Sequence, residues 1–315
     1  MIEIKNLTKV FGRKHALDDV SFTVEKGEIV GFLGPNGAGK STAMNIITGY
    51  LSSTSGTVKV AGIDVFEDPD EAKKLIGFLP EQPPLYQDMT VSEYLGFVYE
   101  LKKCKLNRKK HIDEICKVTK IDDVRNRLIK NLSKGYRQRV GIAQALIGNP
   151  PVIIFDEPTV GLDPKQIIEI RNLIRNLGKT HTVILSTHIL SEVNSVCDRI
   201  VIINEGRIVA DEKTENIANA VRKGTVYNVK ICGPQRDVMN SLREISGVTR
   251  VDVTGERDID SYTYRIESQQ GVDIRKPLFY AMSKQGRPII GLEAAQSSLE
   301  DIFVQLTETG ERSAK

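Results

Sequence analysis

Four cysteines in 315 residues, Cys104, Cys116, Cys197 and Cys232, are too few and too scattered for a disulfide framework, and no C-x-x-C spacing offers a zinc site. Reduced, mostly buried thiols are expected, and no zinc. Neither sign of charge dominates: 44 Lys and Arg against 41 Asp and Glu leave +3. That balance excludes a strongly basic coat, so no nucleic-acid partner is expected. Long apolar runs are missing as well. The longest uncharged stretch, Ser41 to Val58, is rich in Ser, Thr, Asn and Gly and cannot make a membrane span of about 20 apolar residues. Met1-Ile2-Glu3-Ile4-Lys5 lacks the basic-then-apolar order of a signal peptide, so the chain reads as cytoplasmic. What remains is an ordinary globular composition, 40% hydrophobic and 27% charged, in a chain long enough for two domains at about 150 residues each.

The hydrophobic pattern divides the chain. Ile2 to Val10, Val20 to Val24 and Ile29 to Leu33 read as strands bounded by turn residues. From about 85 to 150 the period becomes helical, opening on the capping box Thr90-Val91-Ser92-Glu93. Val152 to Phe155, Thr182 to Ser186 and Ile200 to Ile203 are short apolar runs suited to a sheet covered on both faces. A polar cluster, Asp211-Glu212-Lys213-Thr214, marks a boundary near 215. Beyond it the order is strand (227–231), helix (Val238, Leu242, Ile245), strands at about 249–254 and 262–266, helix (Ile274, Leu278, Met282) and strand (288–293). A last helix carries Leu299, Ile302, Phe303 and Leu306. This β-α-β-β-α-β order predicts a small α+β, ferredoxin-like domain with one helix appended.

Gly34-Pro35-Asn36-Gly37-Ala38-Gly39-Lys40-Ser41-Thr42 fits G-x-x-x-x-G-K-[ST] between an apolar strand and a helix. Glycines let backbone N–H groups turn inward around phosphate oxygens, and the helix N-terminus adds partial positive charge. Lys40 would then reach the β- and γ-phosphates of a nucleotide, and the Ser41 hydroxyl would ligate Mg²⁺. Asp156, ending the apolar strand from Val152, helps hold that ion, and Glu157 beside it orients the attacking water as general base.

Between these motifs, Leu132-Ser133-Lys134-Gly135-Tyr136-Arg137-Gln138-Arg139 resembles the signature of ATP-binding-cassette (ABC) ATPases. Further matches, which run in family order along the chain, are Gln82 in Leu79-Pro80-Glu81-Gln82-Pro83, Gly161-Leu162-Asp163, His188 in Ser186-Thr187-His188, and, ahead of them all, Phe11 before Gly12. The resemblance covers about residues 1–215. It implies an α/β P-loop fold with a mixed sheet core, an antiparallel β subdomain and a helical insert, followed by the accessory domain at 216–315. It also implies a head-to-tail dimer, of two copies or of this chain with a related ATPase subunit, with ATP between one subunit's phosphate loop and the other's Ser133 and Gly135. By the same likeness Gln82 touches the metal and attacking water, His188 the γ-phosphate, and Asp163 the dimer's nucleotide face. Phe11 stacks on adenine or serves only packing, and Ser133 also caps its helix.

The family's commonest signature has Gly where Lys134 stands and Gln where Tyr136 stands. That variant, with Ser297 to Thr307, resembles the gliding-motility-associated and multidrug branch of bacterial exporters. The likeness implies an ATPase peripheral to the cytoplasmic face of a membrane, driving a separate transmembrane permease. A soluble ABC ATPase acting on ribosomes or DNA is the alternative. Residues 216–315 read as a small-molecule sensor or a dimer brace, and Lys102, Lys103, Lys105, Arg108, Lys109 and Lys110 as a solvated face or a headgroup or partner contact.

Overall fold

Alternation of buried and exposed residues builds a long hairpin, Ile2–Phe11 (β1) against Lys14–Val24 (β2), reaching further along the second strand than the apolar run at 20–24. The computed structural model describes residues 1–216, 226–254, 260–269 and 271–295. Ile29–Leu33 (β3) is buried throughout and runs through the glycine loop into Lys40–Ile47 (α1). Then come Ser55–Val60 (β4), Ile63–Asp64 (β5), Pro69–Lys74 (α2) and Ile76–Leu79 (β6). The helical insert holds Val91–Leu101 (α3), Arg108–Thr119 (α4) and Lys134–Leu146 (α5). Val152–Asp156 (β7), Pro164–Gly178 (α6), Thr182–Thr187 (β8), Leu190–Val196 (α7), Arg199–Asn204 (β9) and Arg207–Lys213 (β10) complete the first unit, Met1–Thr214.

Two sheets enclose its core. One is antiparallel, in order β2-β1-β4-β5; the other runs β10-β9-β3-β8-β7-β6, parallel except for the β9–β10 pair. Leu7, Leu17 and Phe22 from the first sheet pack with Phe32, Ile154 and Ile184 from the second and with Met44 and Ile47 of α1. Phe22 stacks on Phe32 with ring centroids 5.4 Å apart. Strands β7 and β8 are buried end to end, as a parallel sheet with covered faces demands. The insert opens on a complete capping box: Glu93 N–H donates to Thr90 Oγ1 at 3.2 Å, and Thr90 N–H to Glu93 Oε2 at 2.7 Å.

The basic cluster is not one solvated face. Lys102 turns inward and donates to the Ile147 carbonyl at 3.0 Å, and burial pushes its pKa down to about 8. Arg108 instead pairs with Glu100, at 3.2 Å.

The second unit spans Glu215–Lys315. Val226–Cys232 (β11), Gln235–Arg243 (α8), Val248–Val253 (β12), Ser261–Ser268 (β13), Arg275–Lys284 (α9) and Ile289–Ala295 (β14) give the β-α-β-β-α-β order. The antiparallel sheet runs β12-β13-β11-β14, the split arrangement that separates β11 from β12 by β13. Tyr227, Val229, Ile231, Tyr264 and Ile266 face Val238, Leu242, Leu278 and Met282 in its core. Ile245 lies just past the end of α8. The appended helix expected at 299–306 lies outside the described residues.

Candidate nucleotide site

Three adjacent strands, β3, β8 and β7, deliver the site from their carboxyl ends, where parallel sheets place ligands. β3 runs into Gly34, β8 into His188, and β7 ends on Asp156 beside Glu157. These ends meet around a cavity of about 570 Å³. Asn36, Gly37, Gly39, Lys40, Ser41 and Thr42 form one wall of it; Phe11, Glu157 and His188 also line it.

The loop's shape demands glycine at specific points. Gly37 and Gly39 sit at φ +82 and +108, where a side chain strains the backbone. A Cβ on Gly39 would also stand 2.5 Å from the Ala16 carbonyl oxygen. Gly34 and Ala38 are buried beneath the loop and do not line the cavity. The ammonium of Lys40 donates to the Gly34 carbonyl at 2.8 Å and to that of Pro35 at 3.2 Å, and lies 3.5 Å from Glu157 Oε1. Both members of this ion pair are buried, so each compensates the other's desolvation.

Glu157 adopts φ +50, a conformation that costs a non-glycine residue about 1–3 kcal/mol and persists only where its surroundings impose it. Its N–H donates to the Ser186 carbonyl at 2.9 Å. Its carboxylate oxygens lie 2.9 and 3.0 Å from His188 Nδ1. An ionised carboxylate can only accept, so Nδ1 is assigned the proton in this pair. Asp156, one residue earlier, is buried and accepts from Ser186 Oγ at 2.7 Å.

Other residues singled out in the sequence fall elsewhere. Gln82 is exposed and does not line the cavity, whereas its neighbour Glu81 does. Ser133 caps α5, accepting from Tyr136 N–H at 3.4 Å, and Asp163 caps α6, accepting from Gln166 N–H at 2.9 Å. Gly135 is buried where α5 meets α6; a Cβ there would stand 2.7 Å from the Gln166 side chain. None of these three lines the cavity. Sequence reasoning passed over Lys14, Ala16, Glu81 and Val160, all of which do. Lys14 and Ala16 follow Phe11 on the same hairpin, so its register was the signal available for them.

Among the described residues no cluster of three or more His, Cys, Asp or Glu side chains could hold a metal by itself. Of the two donors expected from the sequence, the Ser41 hydroxyl lines the cavity, whereas the Asp156 carboxylate is buried and does not; both are hard oxygens. They fit Mg²⁺, which takes one or two protein oxygens and completes its shell with phosphate oxygens and water.

A glycine loop opening a helix on a parallel sheet, with an Asp-Glu strand end and a histidine on neighbouring strands, defines the protein as a P-loop nucleotide hydrolase. The family model described as ABC transporter matches residues 17–160. The bacitracin transport ATP-binding protein BcrA of Bacillus licheniformis is 31% identical, covering 98% of each chain. The linearmycin resistance ATP-binding protein LnrL of Bacillus subtilis is 30% identical, again over 98% of each. A dimeric bacterial ABC transporter cassette superposes with TM-score 0.63 at 33% identity, covering 68% of this chain and 99% of its own. A dimeric cassette in a post-hydrolysis state, bound to ADP and Pi, gives TM-score 0.63 at 32% identity, covering 68% and 99%. The chain belongs to the ABC transporter ATP-binding proteins and is an ATPase of that family.

Proposed function

We propose that this ATPase powers a separate transmembrane permease, an exporter, through ATP-driven head-to-tail pairing of two copies. The observation that carries the reading is the convergence of Lys40, Glu157 and His188 on the cavity that the glycine loop walls. Likeness along 98% of the chain to proteins named for bacitracin transport and linearmycin resistance supports the export role. Among the described residues no helix is long and apolar enough to cross a membrane, which fits a subunit held at the cytoplasmic face by its permease.

In this reading the loop N–H groups and Lys40 hold the β- and γ-phosphates, exchanging the Gly34 and Pro35 carbonyls for phosphate oxygens. Ser41 and Asp156 would hold Mg²⁺, which would supply positive charge to neutralise the phosphates. Glu157 accepts the proton of the attacking water, and His188 steadies its carboxylate and reaches the γ-phosphate. Phe11, half exposed on the cavity rim, stacks on the adenine. Glu81, which lines the cavity where Gln82 does not, would be the residue of its bend placed to contact the ion and the attacking water. Ser133 and Gly135, at the N-terminus of α5, meet the partner copy's nucleotide, and Asp163 lies at that same interface.

Mixed dimers test the pairing. Ser133→Arg in one subunit should stop hydrolysis at the opposing site while the subunit's own phosphate loop still binds ATP. Full hydrolysis at both sites would refute the head-to-tail arrangement. The export role fails if the reading frames beside this gene encode no protein with several apolar spans of about 20 residues.

A further inference from the structure

Behind the site lies a buried carboxylate that the reaction above does not use. Glu192, on α7, is 1% exposed. Its Oε1 accepts from Thr159 Oγ1 at 2.6 Å and its Oε2 from Thr187 Oγ1 at 2.9 Å, with both hydroxyls buried. Arg171 Nη2, from α6, stands 3.5 Å from Oε1 and supplies the compensating charge. Thr159 follows Glu157 by two residues, and Thr187 directly precedes His188. One side chain therefore joins the two segments that carry the base and the imidazole.

The connections close a ring. Glu157 and His188 meet through their side chains. From His188 the backbone leads to Thr187, the Glu192 carboxylate bridges to Thr159, and the backbone returns through Pro158 to Glu157. Thr187 Oγ1 is fixed twice, since it also accepts from Ile189 N–H at 3.2 Å. The ring encloses the residue that most needs outside support, Glu157 at φ +50.

We propose that Glu192 is a positioning residue for hydrolysis, holding the Glu157 and His188 backbones in register through Thr159 and Thr187. Both its oxygens accept and neither donates. An amide in its place can accept at one end only, so one threonine hydroxyl must turn round, and Arg171 faces a neutral group. The hydroxyl that turns becomes an acceptor and leaves its own buried proton without its carboxylate partner, which weakens the hold on its segment. A misplacement of about 1 Å at a catalytic group costs about 10²-fold in rate, whereas the glycine loop and Lys40, which hold phosphate, lie on other segments.

The inference rests on hydrolysis at this site, and its test separates the two. Glu192→Gln, Glu192→Ala, Thr187→Val and Thr159→Val are purified, their melting followed, their ATP affinity measured by calorimetry, and kcat and KM determined. The Gln variant should lose about 10- to 100-fold in kcat, with ATP affinity and KM within about threefold of wild type. Ala should fall further, and Thr187→Val combined with Glu192→Gln should lose far less than the product of the single losses, since both break one unit. A folded Glu192→Gln with wild-type kcat overturns the inference, and so does a loss shared equally by kcat and ATP affinity. If Glu192→Ala does not fold, the two valine variants carry the same kcat-against-KM comparison. If Glu157→Gln itself leaves hydrolysis intact, the reading of the site is what fails.

Discussion

His188 Nδ1 lies 2.9 and 3.0 Å from the two carboxylate oxygens of Glu157, so the imidazole at the end of β8 holds the carboxylate at the end of β7. Glu157→Gln keeps the shape and removes the proton acceptor. Turnover should fall by about 10²–10⁴-fold, while nucleotide affinity, set by the loop and Lys40, stays close to wild type. Two copies should then stay paired around uncleaved ATP and elute together on size-exclusion chromatography. Hydrolysis at the wild-type rate would remove Glu157 from the base role.

The two positive-φ glycines of the loop separate strain from collision. At Gly37 an added Cβ meets no atom within 4 Å, so Gly37→Ala costs only the backbone penalty of about 1 kcal/mol. At Gly39 the same methyl meets the Ala16 carbonyl at 2.5 Å on top of φ +108. Gly39→Ala should therefore cost about 2–3 kcal/mol in denaturant unfolding and weaken ATP binding more than Gly37→Ala does. Equal losses would mean that the loop yields freely and that the collision does not govern its shape.

These glycines also explain why the site's loop was legible. G-x-x-x-x-G-K-S encodes a backbone path, and the all-apolar β3 and β7 fix which sheet carries it. The ferredoxin-like order was legible through the period-two pattern of Tyr227, Val229 and Ile231. The segment from 50 to 85 was not: β4 buries only Val58 and Val60, β5 is two residues long, and α2 buries one alanine. Glu192 left no trace, because its partners are two threonines 33 and 5 residues away and no spacing rule joins them. Gln82 and Glu81 are adjacent in a bend, where no periodicity says which one lines the cavity.

That last pair makes a direct comparison. Both side chains are exposed, but Glu81 lines the cavity and Gln82 does not. Glu81→Ala should reduce kcat by about tenfold or more and raise the Mg²⁺ concentration needed for half-maximal activity. Gln82→Ala should change neither by more than about twofold. Steady-state rates over a Mg²⁺ titration decide it, and the reverse ranking would restore Gln82 to the role that family likeness gives it.

Lys102 offers a test of the half-buried cation in the helical insert. Burial lowers its pKa from 10.5 to about 8, so at pH 7 the native state holds a charged ammonium at a cost of about 3 kcal/mol. The cost is fully present below pH 8, where folded and unfolded chains are both protonated. Between about pH 8 and 10.5 the unfolded chain binds a proton that the native one has released, so this residue's contribution to stability rises with pH. Lys102→Met removes the charge but deprives the Ile147 carbonyl of its donor, a loss of about 1–3 kcal/mol. The variant should thus melt slightly higher than wild type at pH 7, by about 1 kcal/mol of stability. By pH 10 the wild-type lysine is neutral and still donates, so the ranking should reverse there. Melting curves at pH 7, 8.5 and 10 measure the difference, and a gap that stays constant across the three would place the Lys102 charge in water.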